Sequence, residues 1–168
     1  MRNINLLAVV VLSVSLGSAV SYGQSYGKTN PIAGQWTYRS FRNSTDLVNG
    51  DAAKALALIF GEGIFSFDTP SPGSLRGTLN MGGGYVLDIE GTVRPEPRTE
   101  NYTVVAAGHG RPGTPTAGWE YDYHAELAYH WPNGVNQVPA LLGSVIRAKA
   151  RDGGAAGLVA SFIAVRHP

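Results

Sequence analysis

From Trp119 to Trp131 the chain reads W-E-Y-D-Y-H-A-E-L-A-Y-H-W, and nearly every second residue changes character. Trp119, Tyr121, Tyr123, Ala125, Leu127, Tyr129 and Trp131 share one parity; Glu120, Asp122, His124, Glu126 and His130 share the other. Successive side chains of a strand point to opposite faces, so this pattern predicts a β-strand with one aromatic face and one acid/imidazole face. Further strand-like segments follow from Gly34 onward: 35–42, 63–68, 75–80, 85–93, 102–108, 140–150 and 158–166. The connectors carry turn chemistry, as in Pro70-Ser-Pro-Gly73, Met81-Gly-Gly-Gly84, Trp131-Pro-Asn-Gly134 and Asp152-Gly-Gly154. Residues 52–59 (A-A-K-A-L-A-L-I) have helix-forming composition behind a potential cap at Asp51, and read as one or two helical turns or a loop leading into a strand.

About eight short strands with mostly tight connections predict an all-β fold: a single up-and-down antiparallel β-barrel spanning residues 34–168. A β-sandwich is the alternative, but it would need long crossovers. A barrel of this strand number has an interior filled by side chains or large enough for one small ligand.

Before this domain, Arg2 precedes an apolar run from Ile4 to Leu16, and small residues follow. This is the pattern of a secretory signal peptide over residues 1–23, with cleavage expected after Ala19 or Gly23. The run falls short of the roughly 20 apolar residues a membrane-spanning helix needs, so no membrane insertion is expected. A flexible lead covers 24–33, and the mature protein is expected to be secreted or periplasmic. The chain has no cysteine, which excludes disulfides, thiolate nucleophiles and Cys-ligated metals and leaves burial and strand pairing to hold the fold. Thirteen basic against twelve acidic residues, without a run of either sign, argue against nucleic acid as a partner.

The opening Gly34-Gln35-Trp36 followed by Thr37-Tyr38 resembles the G-x-W start of calycin barrels, the lipocalins and avidins. The resemblance implies a barrel with Trp36 closing one end and a basic residue of the last strand, here Arg166, packed against it. It covers most of the mature chain in layout and only a few positions in identity. Tyr38 replaces the polar residue that avidins carry two positions after the Trp, and no Asp precedes Phe162. The resemblance therefore implies the shape and not biotin as ligand.

Two sets of residues carry candidate chemistry. On the polar parity, same-face neighbours lie about 6.5–7 Å apart, so Asp122, His124 and Glu126 are the candidate catalytic residues for acid/base work without a cofactor, as in an isomerase, cyclase or hydrolase. His124 and Glu126 have a spacing a strand-borne metal site uses, and Zn²⁺ would want two more ligands from other strands, where Asp88 and Glu90 form a second alternating acidic pair; no metal site is assigned. The competing reading is a solvated exterior face, because five ionisable groups in a row are costly to bury. On the aromatic parity, Trp119, Tyr121, Tyr123 and Tyr129, with Tyr38, Tyr85 and Tyr102, are candidate ligand-binding residues: tyrosines on an inward face make an apolar wall dotted with donors. A filled core and a homo-oligomer interface are the other readings of the same face. Three functions remain open: a carrier of a small, partly apolar molecule, an acid/base enzyme of the same shape, and an interaction module with a filled core. They differ in which parity of 119–131 points inward and whether a void lies behind it.

Overall fold

The computed structural model describes residues 30–96 and 101–168; the expected signal-peptide segment and most of the expected lead fall outside the described residues. Eight strands form a closed antiparallel barrel in chain order: β1 (Gly34–Arg42), β2 (Ile59–Asp68), β3 (Ser74–Asn80), β4 (Val86–Glu96), β5 (Asn101–Gly110), β6 (Glu120–Leu127), β7 (Ala140–Arg147) and β8 (Val159–Arg166). β8 returns to pair with β1, which places Trp36 opposite Arg166 and leaves no free edge. The up-and-down barrel stands over the sandwich because each strand pairs with its chain neighbour.

The one helix among the described residues, α1 (Ala52–Ala57), interrupts the β1–β2 connection. The Asp51 carboxylate caps it by accepting from Ala53 N–H and Lys54 N–H at 2.9 and 3.2 Å. No helix among these residues is long and apolar enough to cross a membrane. Strand β2 begins at Ile59, four residues before the predicted start at Gly63. Composition blurred this boundary, whereas pairing of Ile59 with Phe41 across a bulge at Ser40/Phe41 decides it. In β6 the alternation outlasts the strand, which ends at Leu127. Beyond Ala128, whose N–H bonds to the Ala140 carbonyl, β7 supplies no further partner, and the chain turns at Pro132-Asn-Gly134.

Buried inward positions alternate with exposed or half-buried outward ones along the strands, and large inward residues are combined with small ones. Phe65 and Phe67 from β2 border the same interior space as Ala106 and Ala125, and Tyr38 from β1 lies beside Ala164 of β8; all are buried. Tyr38, Phe65, Tyr123 and Phe162 pack as one aromatic cluster, with ring centroids 4.9 Å apart for Tyr38–Phe65 and 5.5 Å for Phe65–Tyr123. Small inward residues also let neighbouring strands approach. A Cβ at Gly143 would lie 2.1 Å from the His124 carbonyl oxygen, and one at Gly91 2.2 Å from that of Val105. Such strand glycines mark the tight bends by which a barrel closes.

One end of the barrel is sealed. Trp36 is fully buried beside Ile32, and its indole N–H donates to the Ile32 carbonyl at 2.9 Å. The Arg166 guanidinium lies 5.8 Å from the Trp36 ring centroid and donates to the Pro31 carbonyl at 2.9 Å. This arrangement is consistent with a calycin-like fold.

Candidate ligand-binding mouth

The opposite end is built differently. Strand β6 turns its aromatic parity inward: Tyr121, Tyr123 and Ala125 are buried, while Asp122, His124 and Glu126 are exposed on the barrel exterior. Their cross-strand neighbours there are Ala107, Val105 and Thr103 on β5, and Ile146, Ser144 and Leu142 on β7. The three candidate catalytic residues thus share a convex, solvated face flanked by hydroxyls and aliphatic side chains, not a cavity. Among the described residues no group of three His, Asp or Glu is placed to share a metal ion.

Above the aromatic cluster, at the end away from Trp36, lies a cavity of about 130 Å³. Its wall includes Tyr38, Tyr121, Tyr123 and Trp119, four of the seven aromatic residues named from the sequence, together with Phe60 and Met81. The other three lie elsewhere. Tyr85 is partly exposed on the β3–β4 hairpin, with its ring 5.7 Å from Trp119. Tyr102 packs against the core from the first turn of β5, at the sealed end. Tyr129, 65% exposed, pairs edge-on with Trp131 in the β6–β7 connection. A wider groove of about 610 Å³ follows residues 44–58, but a single, largely exposed connection supplies its lining.

Burial raises the pKa of the Tyr38 and Tyr123 hydroxyls well above the ordinary phenol value. Both therefore stay protonated throughout the neutral range. For Tyr38, a hydrogen bond with Ser40 offsets part of the effect.

Two loops brace the rim. Arg111 donates from Nε and Nη2 to the Asp88 carboxylate at 2.6–3.0 Å, and the buried Thr116 hydroxyl donates to the Val86 carbonyl at 2.6 Å. These contacts tie the 111–119 loop, and Trp119 at its end, to β4. The β7–β8 connection then folds Arg151 over Trp119, its guanidinium carbon 3.2 Å from the ring centroid. Arg151 Nε and Nη2 donate to the Tyr121 hydroxyl oxygen at 3.1 and 2.5 Å, while Nη1 meets Asp152 at 2.7 Å.

Arg147, the last residue of β7, sits directly opposite Tyr121 in the ladder and continues the inward parity of Leu141, Gly143 and Val145. Its guanidinium carbon lies 5.7 Å from the Phe60 ring centroid. Nε and Nη1 of Arg147 are buried and have no hydrogen-bond partner among the described residues. Gly154 lies against the same group: a Cβ there would come within 1.5 Å of Nη1.

Sequence reasoning missed Phe60, Met81, Arg147 and Arg151. Arg147 was within its reach, as a charged residue at an inward position of an alternating strand. Arg151 sits in a glycine-rich turn whose fold brings it back across the barrel end, and no local pattern announces that. Family models, curated proteins and solved structures were compared with the chain, and none matches it.

Proposed function

We propose that this protein is an exported binding barrel that holds a small, partly apolar molecule in the mouth between Tyr121, Tyr123 and the Arg151 hairpin. One observation carries the reading: the aromatic parity of β6 faces inward and a void of about 130 Å³ lies behind it, while the acid/imidazole parity faces solvent. Apolar walls with a few convergent donors are the usual make-up of a small-molecule site. This void is smaller than the about 300–1,000 Å³ typical of such sites. It suits a compact ligand, since a cavity of about 150 Å³ holds benzene. The sealed end around Trp36 supports a single-mouthed container. The apolar segment at residues 4–16 supports export.

Tryptophan fluorescence tests the reading. Trp36 is at the sealed end, Trp119 at the mouth and Trp131 on the surface. A bound single-ring probe should change the emission of the native protein and of Trp131→Phe, and leave Trp119→Phe silent. Native mass spectrometry of protein from its own host should show a retained small molecule. Absence of any retained molecule, together with no response to a panel of neutral and charged single-ring probes, would reject the carrier and leave the interaction module.

A further inference from the structure

Resting on that reading, we propose that the ligand is a small monocarboxylate, a single ring or short branched chain bearing one carboxylate, and that Tyr121, Arg147 and Arg151 receive its charged end. The apolar part of the ligand is accounted for by the Phe60, Met81 and Tyr123 walls. The anionic part follows from three features that the barrel does not need in order to fold.

First, Arg147 places cationic N–H groups inside the barrel rim without a partner among the described residues. Unpaired buried charge is costly, and replacing such a group with an apolar side chain usually favours the folded state. An inward arginine at the end of an otherwise apolar strand face is therefore a burden on stability that a bound anion relieves. Second, the Tyr121 hydroxyl oxygen accepts from both Nε and Nη2 of Arg151. Its own proton is thereby left to be donated, and a nearby positive charge makes it a stronger donor. Arg147 and Tyr121 are direct cross-strand partners with side chains on the same face, so the two donors stand side by side. Third, among the described residues the single carboxylate in contact with either arginine is Asp152, on Nη1 of Arg151, and its side chain is 77% exposed. It screens the outer side of Arg151 and does not reach Arg147. The Arg147–Tyr121–Arg151 group therefore carries two cations against one solvated anion, while the neighbouring Arg111–Asp88 and Lys149–Glu120 pairs are each internally neutral.

The site is also shuttered. Arg147 is not itself part of the cavity wall; its buried nitrogens are packed between Phe60, which is, and Gly154. A ligand reaches them when the 148–158 hairpin shifts outward, and the absence of a side chain at Gly154 is what lets this hairpin pack so closely over the guanidinium. The cavity's size selects against long chains, and its largely apolar wall against inorganic anions.

Calorimetric titration with benzoate, benzyl alcohol, acetate and inorganic phosphate separates the outcomes. Benzoate should bind at least about tenfold more tightly than benzyl alcohol, the range expected for hydrogen bonds to a charged group, and more tightly than acetate or phosphate. Arg147→Met should lower benzoate affinity by about tenfold to a hundredfold and change benzyl alcohol affinity far less. It should also raise the melting temperature of the ligand-free protein, which loss of a merely structural arginine would lower. Tyr121→Phe is the second variant and should weaken benzoate selectively. Equal binding of benzoate and benzyl alcohol would overturn the carboxylate assignment while the carrier reading stands. Acetate or phosphate binding as well as benzoate would overturn it too, by removing the apolar wall from recognition. Failure of all four probes would take both readings down together.

Discussion

Raising the pH should destabilise this barrel through two particular phenols. Tyr38 and Tyr123 are 3% and 5% exposed, and burial holds both hydroxyls well above the ordinary phenol pKa in the folded protein. In the unfolded chain each titrates near about pH 10. A group whose folded pKa is raised contributes its full stability below the unfolded pKa and loses it as pH climbs toward the folded value. Near pH 11 an unfolded phenol gains roughly 1.4 kcal/mol by ionising, which the folded state does not match. The pair should therefore remove roughly 3 kcal/mol at about pH 11 relative to neutral pH. That is a large share of the about 5–15 kcal/mol of a typical domain. Denaturant titrations at pH values on either side of 10 measure the loss directly. Phenolate absorbance of the native protein should show Tyr38 and Tyr123 silent until the unfolding transition. Tyr38→Phe or Tyr123→Phe should each halve the alkaline loss, whatever it does to stability at neutral pH. If both variants lose stability as steeply as the parent, or if every phenol titrates near 10 in the folded state, the buried placement of these hydroxyls is wrong.

Three further outcomes follow from the same structure. Trp36→Ala should cost about 3–5 kcal/mol, the usual loss for a large buried aromatic, and a denaturation midpoint shift worth under about 1 kcal/mol would remove Trp36 from its sealing role. The double variant His124→Ala/Glu126→Gln should change stability by no more than about 0.5 kcal/mol and leave probe binding intact, because both side chains stand on the solvated exterior; turnover that vanishes in this variant alone would restore the enzyme reading. Expression of the full chain in a bacterial host should yield a mature N-terminus near Val20 or Gln24, and recovery of only the intact Met1 form from the periplasm would contradict export.

The barrel was legible because its signals are local. Period-two alternation in 119–131 and Gly/Pro turns between short apolar segments sufficed for strand count and topology. What the sequence left open at β6 was the sense of the alternation, since either parity fits a strand. Packing decides it: Tyr121 and Tyr123 meet Phe60, Phe65 and Phe162, and the four ionisable groups of β6 in their place would lack partners. Tyr129 and Trp131 repeat the aromatic spacing yet lie beyond the strand, because the end of a strand is set by its partner. The rim was the least legible part. Its parts, Phe60, Trp119, Arg147 and Arg151, come from four places along the chain and are brought together by closure of the barrel.

The β1–β8 ladder has a consequence for how the chain comes to be folded. Seven of the eight ladders join strands consecutive in sequence, and such pairings can form as soon as each hairpin is made. The eighth joins opposite ends of the domain, where the Thr37 hydroxyl meets the His167 ring across 130 residues. During synthesis β8 is the final strand to appear, and until it docks, β1 and β7 each offer a raw edge to any passing chain. No disulfide holds a partly formed intermediate, so docking of β8 is what ends the exposure of those edges. The same strand supplies Arg166 to Trp36, so the residue that latches the sealed end arrives last.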